Sequence, residues 1–359
     1  MRFVNLLAIV CMLFWVGCPY TEGCETGSAP EELEGGVGGD DDDNGGPPPE
    51  GPREPNCRDL DARCNGESCC TASNLPAGTF DRLNDPKYPA TVSAFRLDVY
   101  EVTLGRFRAF VHAGFGTQEK PPAPGSGKTN DPDDKGWQES WNKDLVETMA
   151  DLESALGCSP DLYNVWDRNP GKNDSLPMNC ETWLEAQAFC IWDGGRLPTE
   201  AEWMYAASGG SEQRLYPYGG NVADTERIRF GCQSGSSEAD DPGPDGKPMR
   251  ECTFEDWKPA GSVPKGRGRW GQQDMAGSAW ERVFDWFQIE LPTPCDDCAR
   301  PQRPADNDGN PVGRAFRGGA VNWGKAFHQT TNRTVINSET MTERTDSVGF
   351  RCARPVKNN

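Results

Sequence analysis

Fifteen cysteines and only two histidines, His112 and His328, define the side-chain chemistry open to this chain of 359 residues. Cysteine can act as nucleophile, redox couple or metal ligand, and an oxidising compartment turns it into a staple instead. So many cysteines without a metal-cluster pattern point to such a compartment. Cys57, Cys64, Cys69 and Cys70 sit close together with only polar filler between them. They read as disulfide staples; zinc is the alternative, but no histidine is near. Cys295-Asp296-Asp297-Cys298 has the spacing of a thiol redox motif. No thioredoxin-like βαβ pattern precedes it, which favours a structural disulfide. His112 falls at the end of a helical pattern and reads as structural. A lone His328 without a named partner is weak evidence for acid–base or metal chemistry.

The segments that must position these residues differ sharply in composition. Arg2 precedes an apolar run over residues 3–16, which has the length of a signal-peptide core and is short for a membrane span. The run ends at Trp15-Val16-Gly17-Cys18, similar to a bacterial lipobox. Residues 1–17 are therefore expected to be a lipoprotein-type signal peptide, with Cys18 carrying lipid and joining the protein to the cell-envelope membrane. Secretion without lipid is the alternative. Residues 18–56 are rich in Gly, Pro and acid, with ten acids against Arg53 over 25–56. Such a stretch buries no apolar surface and is expected to be a disordered tether. The net charge of −20 excludes a nucleic-acid surface.

A Cys-rich lead-in over 57–74 opens the folded part, and one domain is expected over 75–357. Residues 75–80 and 90–99 have strand character, with Val92, Ala94, Phe95, Leu97 and Val99 giving one buried face. Thr103 is expected to cap a helix that runs to about Gly114 and buries Phe107, Phe110 and Val111. Residues 115–176 read as an irregular insertion. Thr182…Glu185 and Thr199…Glu202 are capping boxes, and their helices should stop at Gly194-Gly195 and before Gly209-Gly210. Three modest helices in loop-rich sequence make an α+β domain.

Several stretches, in order, resemble the formylglycine-generating (sulfatase-modifying factor) family. They are 97–103, then Cys190 through Gly194-Gly195-Arg196-Leu197-Pro198-Thr199 to Trp203, then 216–219. Asp274 to Glu281, Arg317-Gly318-Gly319 and Val348 to Cys352 complete the set. The resemblance covers about residues 75–355. It implies an irregular, C-type-lectin-like α+β fold with little regular secondary structure. It also implies a disulfide between Cys190 and Cys352.

The family oxidises a cysteine in a Cys-x-Pro-x-Arg peptide with oxygen and copper held by two thiolates, soft ligands that suit Cu(I). In this sequence Trp323 and His328 stand at those two positions, and Ala320 replaces the usual serine. Copper and the oxidase activity are therefore not expected. Relatives that use iron need three histidines, one more than the chain has. The resemblance further implies a calcium site from the carbonyls of Asp274, Gly277 and Ala279 and the Glu281 carboxylate. Arg196, Arg317 and Arg351 read as buried arginines satisfying carbonyls. Arg333 matches the family's pocket arginine. Trp270, Trp280, Trp286 and Trp323 are groove candidates, with core packing the commoner fate.

The expectation is an exported, non-catalytic binding module for a peptide, an envelope protein or a glycan. The alternative is an enzyme of altered chemistry in the same cleft, centred on His328 with Glu281 or Arg333.

Overall fold

The structure, a computed structural model, describes residues 57, 63–158, 164–233, 250–304, 312–333 and 340–356. The expected signal segment with Cys18, and the acidic tether to residue 56, lie outside the described residues.

Regular elements are short. Ala72–Leu75 (β1), Gly78–Asp81 (β2), Pro89–Val92 (β3) and Phe95–Asp98 (β4) come from the expected β-rich region. Trp280–Trp286 (β5), Cys295–Asp296 (β6), Arg314–Arg317 (β7), Val348–Phe350 (β8) and Ala353–Pro355 (β9) follow. They form three small sheets of order β9-β4-β1, β6-β3-β2 and β7-β5-β8. In the first, β4 pairs antiparallel with both neighbours, so it joins the C-terminal strand β9 to β1. The expected boundary after residue 74 runs through β1.

The single buried face expected for 90–99 holds in β3, where Ala90 and Val92 are buried, but not in β4. There Arg96 and Asp98 are buried as well as Phe95 and Leu97, because β4 is covered on both faces. The same holds for β5, all seven residues of which are buried. Alternation puts Glu281, Val283 and Asp285 on one face and Trp280, Arg282, Phe284 and Trp286 on the other. Three charged side chains are thus carried into the interior, and each requires a partner there.

Four α-helices pack around these sheets among the described residues: Leu104–His112 (α1), Met149–Ala155 (α2), Trp183–Trp192 (α3) and Glu200–Ser208 (α4). Both expected capping boxes form, Thr182 with Glu185 and Thr199 with Glu202. Helix α4 stops at Gly209, whose φ of 69° is the left-handed turn glycine permits. Thr103 corrects the expectation for α1. Its hydroxyl makes no capping bond, because Leu104 and Gly105 already donate to the carbonyls of Leu176 and Asp174. Helix α2 lies in the segment expected to be irregular and is opened by a Thr148…Asp151 box.

Phe107, Phe110, Phe189 and Phe350 interlock between α1, α3 and β8 at centroid distances of 5.3–6.1 Å. The described cysteines form disulfides 57–70, 64–69, 158–180, 190–352, 232–252 and 295–298. The staples, the Cys190–Cys352 bridge and the Cys295–Cys298 pair are as expected. The other two pairs had no sequence expectation.

Candidate functional site

The Gly318-Gly319 turn ends β7 with φ of 96° and 75° and leads into the positions where the family holds copper. A side chain at Gly319 would press to within 2.3 Å of the His328 ring, so the glycine is what lets the turn and His328 meet. His328 is buried, with Nδ1 at 3.1 Å from the Gly318 carbonyl and Nε2 at 3.2 Å from the Trp323 carbonyl. Phe230 packs against its ring at 5.3 Å. Both nitrogens face backbone oxygens, a geometry that ties the loop together. Trp323 stands edge-on to Phe327 at 4.7 Å and to buried Trp280 at 5.5 Å. Trp323 and Phe327 are half-buried, so this aromatic group reaches the surface. Trp280 and Trp286 are core residues, while Trp270 stacks half-buried on Tyr205.

Copper does not fit this donor set. Every described cysteine is engaged in a disulfide, and the two positions in question carry an indole and a buried imidazole whose nitrogens face carbonyls. His112 lies exposed at the end of α1.

The 274–281 segment that holds the calcium candidates is tied to this turn, with the Gly277 N–H donating to the Gly318 carbonyl at 2.9 Å. Glu281 is fully buried and held bidentately by Arg351, at 2.6 and 2.7 Å, with the Trp203 indole N–H donating at 2.8 Å. Arg351 also donates to the carbonyls of Asp98, Val99 and Gln273. Asp274 accepts from the Gly261 N–H at 2.5 Å. The structure adds Glu101, fully buried, which accepts from Ala279 N at 3.0 Å and Ser278 Oγ at 3.1 Å. Burial, with Asp274 and Glu281 adding repulsion, pushes the Glu101 carboxyl well above its ordinary range. Burial likewise pushes Asp274 up to about 6. Three carboxylates share one fully buried guanidinium, and half-buried Arg229 lies near Asp274. Arg351 and the Trp203 indole already occupy both Glu281 oxygens, so the carboxylate surplus rests with Glu101 and Asp274. Glu101 carries no chemical signal in the sequence beyond its place in the 97–103 stretch.

Arg333 lies in a third cluster. Its guanidinium donates to both Glu200 oxygens at 3.1 Å and lies over Phe287 at 4.8 Å. Arg317 binds the same carboxylate and the Asn332 carbonyl. Burial opposes ionisation of Glu200, but Arg317 and Arg333 outweigh it and hold its carboxyl below the usual range. Asp285 accepts from the Glu200 N–H at 2.6 Å, capping α4 from across the sheet. Burial, and then repulsion from Glu200, push Asp285 up to about 7. Arg196 is held bidentately by Glu202 at 2.6 Å. Asp98 and Asp193, which lie beside Cys352, are neutralised by Arg106 and Arg354, and Cys352 is disulfide-bonded, so that trio is an ion-pair network rather than a metal centre.

Short mixed sheets, boxed helices, the Cys190–Cys352 bridge and the Gly318-Gly319 turn define a class, the irregular C-type-lectin-like α+β scaffold. The sequence matches the family described as "Sulfatase-modifying factor enzyme 1-like domain" over residues 59–356, and the chain belongs to that family. It is 24% identical to the formylglycine-generating enzyme of Bos taurus over 300 residues, covering 78% of this chain and 73% of that protein. It is 27% identical to the Bos taurus protein named "Inactive C-alpha-formylglycine-generating enzyme 2" over 304 residues, covering 78% and 86%. Among solved structures, PvdO from Pseudomonas aeruginosa aligns over 79% of this chain and 94% of its own, with a TM-score of 0.48 and 19% identity.

Proposed function

We propose that this chain is an exported, lipid-anchored, non-catalytic binding module built on the sulfatase-modifying factor scaffold. The observation that carries it is the replacement of a thiolate pair by half-exposed Trp323 and by His328, whose ring nitrogens both face carbonyls. An aromatic edge at a surface offers area and a polar N–H to a ligand without offering a reaction. The ligand class is a peptide, an envelope protein or a glycan. A relative named as inactive, similar over most of both chains, supports a scaffold kept without its oxidase chemistry. Export draws support from the dense disulfides, which persist in oxidising compartments.

Calcium belongs to this reading as a structural ion at Asp274, Gly277, Ala279 and Glu281, with Glu101 beside them. When bound it neutralises buried carboxylate charge; Arg351 orients Glu281, and Ser278 and Ala279 orient Glu101.

The test is turnover. The purified domain, given Cu(I), oxygen and a Cys-x-Pro-x-Arg peptide, is expected to leave the peptide cysteine unmodified by mass spectrometry. Catalytic formation of formylglycine would overturn the reading.

A further inference from the structure

The Cys295–Cys298 pair sits in surroundings unlike those of a simple staple. Arg82, buried at the start of the β2–β3 connection, donates Nη1 to Cys298 Sγ at 3.6 Å. Its Nε and Nη2 are taken by the carbonyls of Tyr88 and Pro292. Cys298 is half-buried and lines a cavity of about 10 Å³, room for a single water, together with Arg82, Arg300, Arg333, Glu200 and Asp285. Arg300 Nε is buried and has no acceptor. The cavity walls thus carry three guanidiniums against two carboxylates, one of which, Asp285, is poised near neutrality. The shift at Arg82 comes first from its burial. Burial lowers its pKa to about 10, Glu200 and Asp285 oppose that fall, and Arg333 and Arg300 add to it. An anion formed at Cys298 would relieve that charge.

The loop is held in place independently of the bridge. Asp297 accepts from Ser93 N and Ser93 Oγ at 2.6 Å, its N–H donates to the Thr91 carbonyl at 2.9 Å, and β6 pairs with β3. Opening the disulfide would therefore leave Cys298 beside Arg82 rather than release it. A cationic neighbour favours the thiolate and so the reduced state of a two-cysteine couple.

We propose that Cys295–Cys298 is a thiol–disulfide exchange site whose reduced form is stabilised by Arg82 and Arg300, and whose partner is a dithiol reductant. A thiolate of the reductant attacks half-buried Cys298 Sγ; the S–S bond breaks and Cys295 leaves as a thiolate that takes a proton from solvent. The second thiolate of the reductant then attacks its own sulfur in the mixed disulfide. Cys298 leaves as a thiolate facing Arg82. Two electrons pass from the dithiol, which becomes a disulfide, to the protein pair.

Graded dithiothreitol:disulfide ratios on the native full-length protein, followed by alkylation and peptide mapping, test this. Cys295 and Cys298 are expected to be alkylated while the other described pairs stay intact, including Cys158–Cys180, whose Cys158 is also half-buried. Arg82→Gln is expected to lower the equilibrium constant for reduction about tenfold, which is about 30 mV for a two-electron couple. Arg300→Gln, at a less buried position, should shift it in the same direction and serves if Arg82→Gln does not fold. Reduction of this pair only together with the rest, or unchanged midpoints in the folded variants, would overturn the proposal.

Discussion

Single residues in this domain do work that their types do not announce. Arg351 is the clearest case, since one guanidinium satisfies both oxygens of Glu281 and three backbone carbonyls in a fully buried position. Removing one partner of such a pair leaves an uncompensated charge, so Arg351→Met is expected to cost about 3–5 kcal/mol. Urea denaturation measures it; a loss within experimental error would mean that Glu281 is not held as described. Asp285 provides a pH signature. Its folded-state pKa is raised, by burial first, to about 7 from 3.8, so the native state binds more protons than the unfolded state between those values. Its contribution therefore falls as pH rises from about 4 to 7. Asp285→Asn keeps an oxygen for the Glu200 N–H, and its stability relative to the parent should improve steadily across that window. A difference that is flat with pH would contradict the assignment.

Among the elements, what was legible in the sequence is what is decided locally. The boxes at Thr182 and Thr199 each need only a hydroxyl and a carboxylate three residues on, and both form. Thr199→Ala is expected to cost about 1 kcal/mol through loss of the N-cap, seen as a lower denaturation midpoint. Because Glu202 also grips Arg196, the loss should exceed that from Thr148→Ala in the exposed α2 box. Thr103 misled because its helix draws its N-terminal bonds from Leu176 and Asp174, about seventy residues away in sequence. Strand β4 misled for the same reason, since both of its faces are covered by distant segments. The pairings Cys158–Cys180 and Cys232–Cys252 were not legible, because spacing does not choose a partner. Cys190–Cys352 came from resemblance alone. Of the candidate site, Trp323 and His328 were placed by the Arg-Gly-Gly motif. Glu101, Arg82 and the three-arginine cavity became visible only once the chain was folded.

Across the whole molecule, interior charge is balanced by pairing in most places, and the Glu101, Asp274 and Glu281 group is where a carboxylate surplus collects. Calcium is therefore expected to raise the melting temperature in a concentration-dependent way by binding only the folded state. Glu101→Gln and Asp274→Asn should each weaken that response. The proposed binding module keeps the scaffold without oxidase or oxygenase chemistry. The most direct test is metal content by elemental mass spectrometry, after the domain purified from an oxidising compartment is dialysed against calcium, copper and iron. Bound calcium without stoichiometric copper or iron is the expected result. Stoichiometric copper or iron that is lost on His328→Ala would contradict it and make this chain an enzyme with a different ligand set.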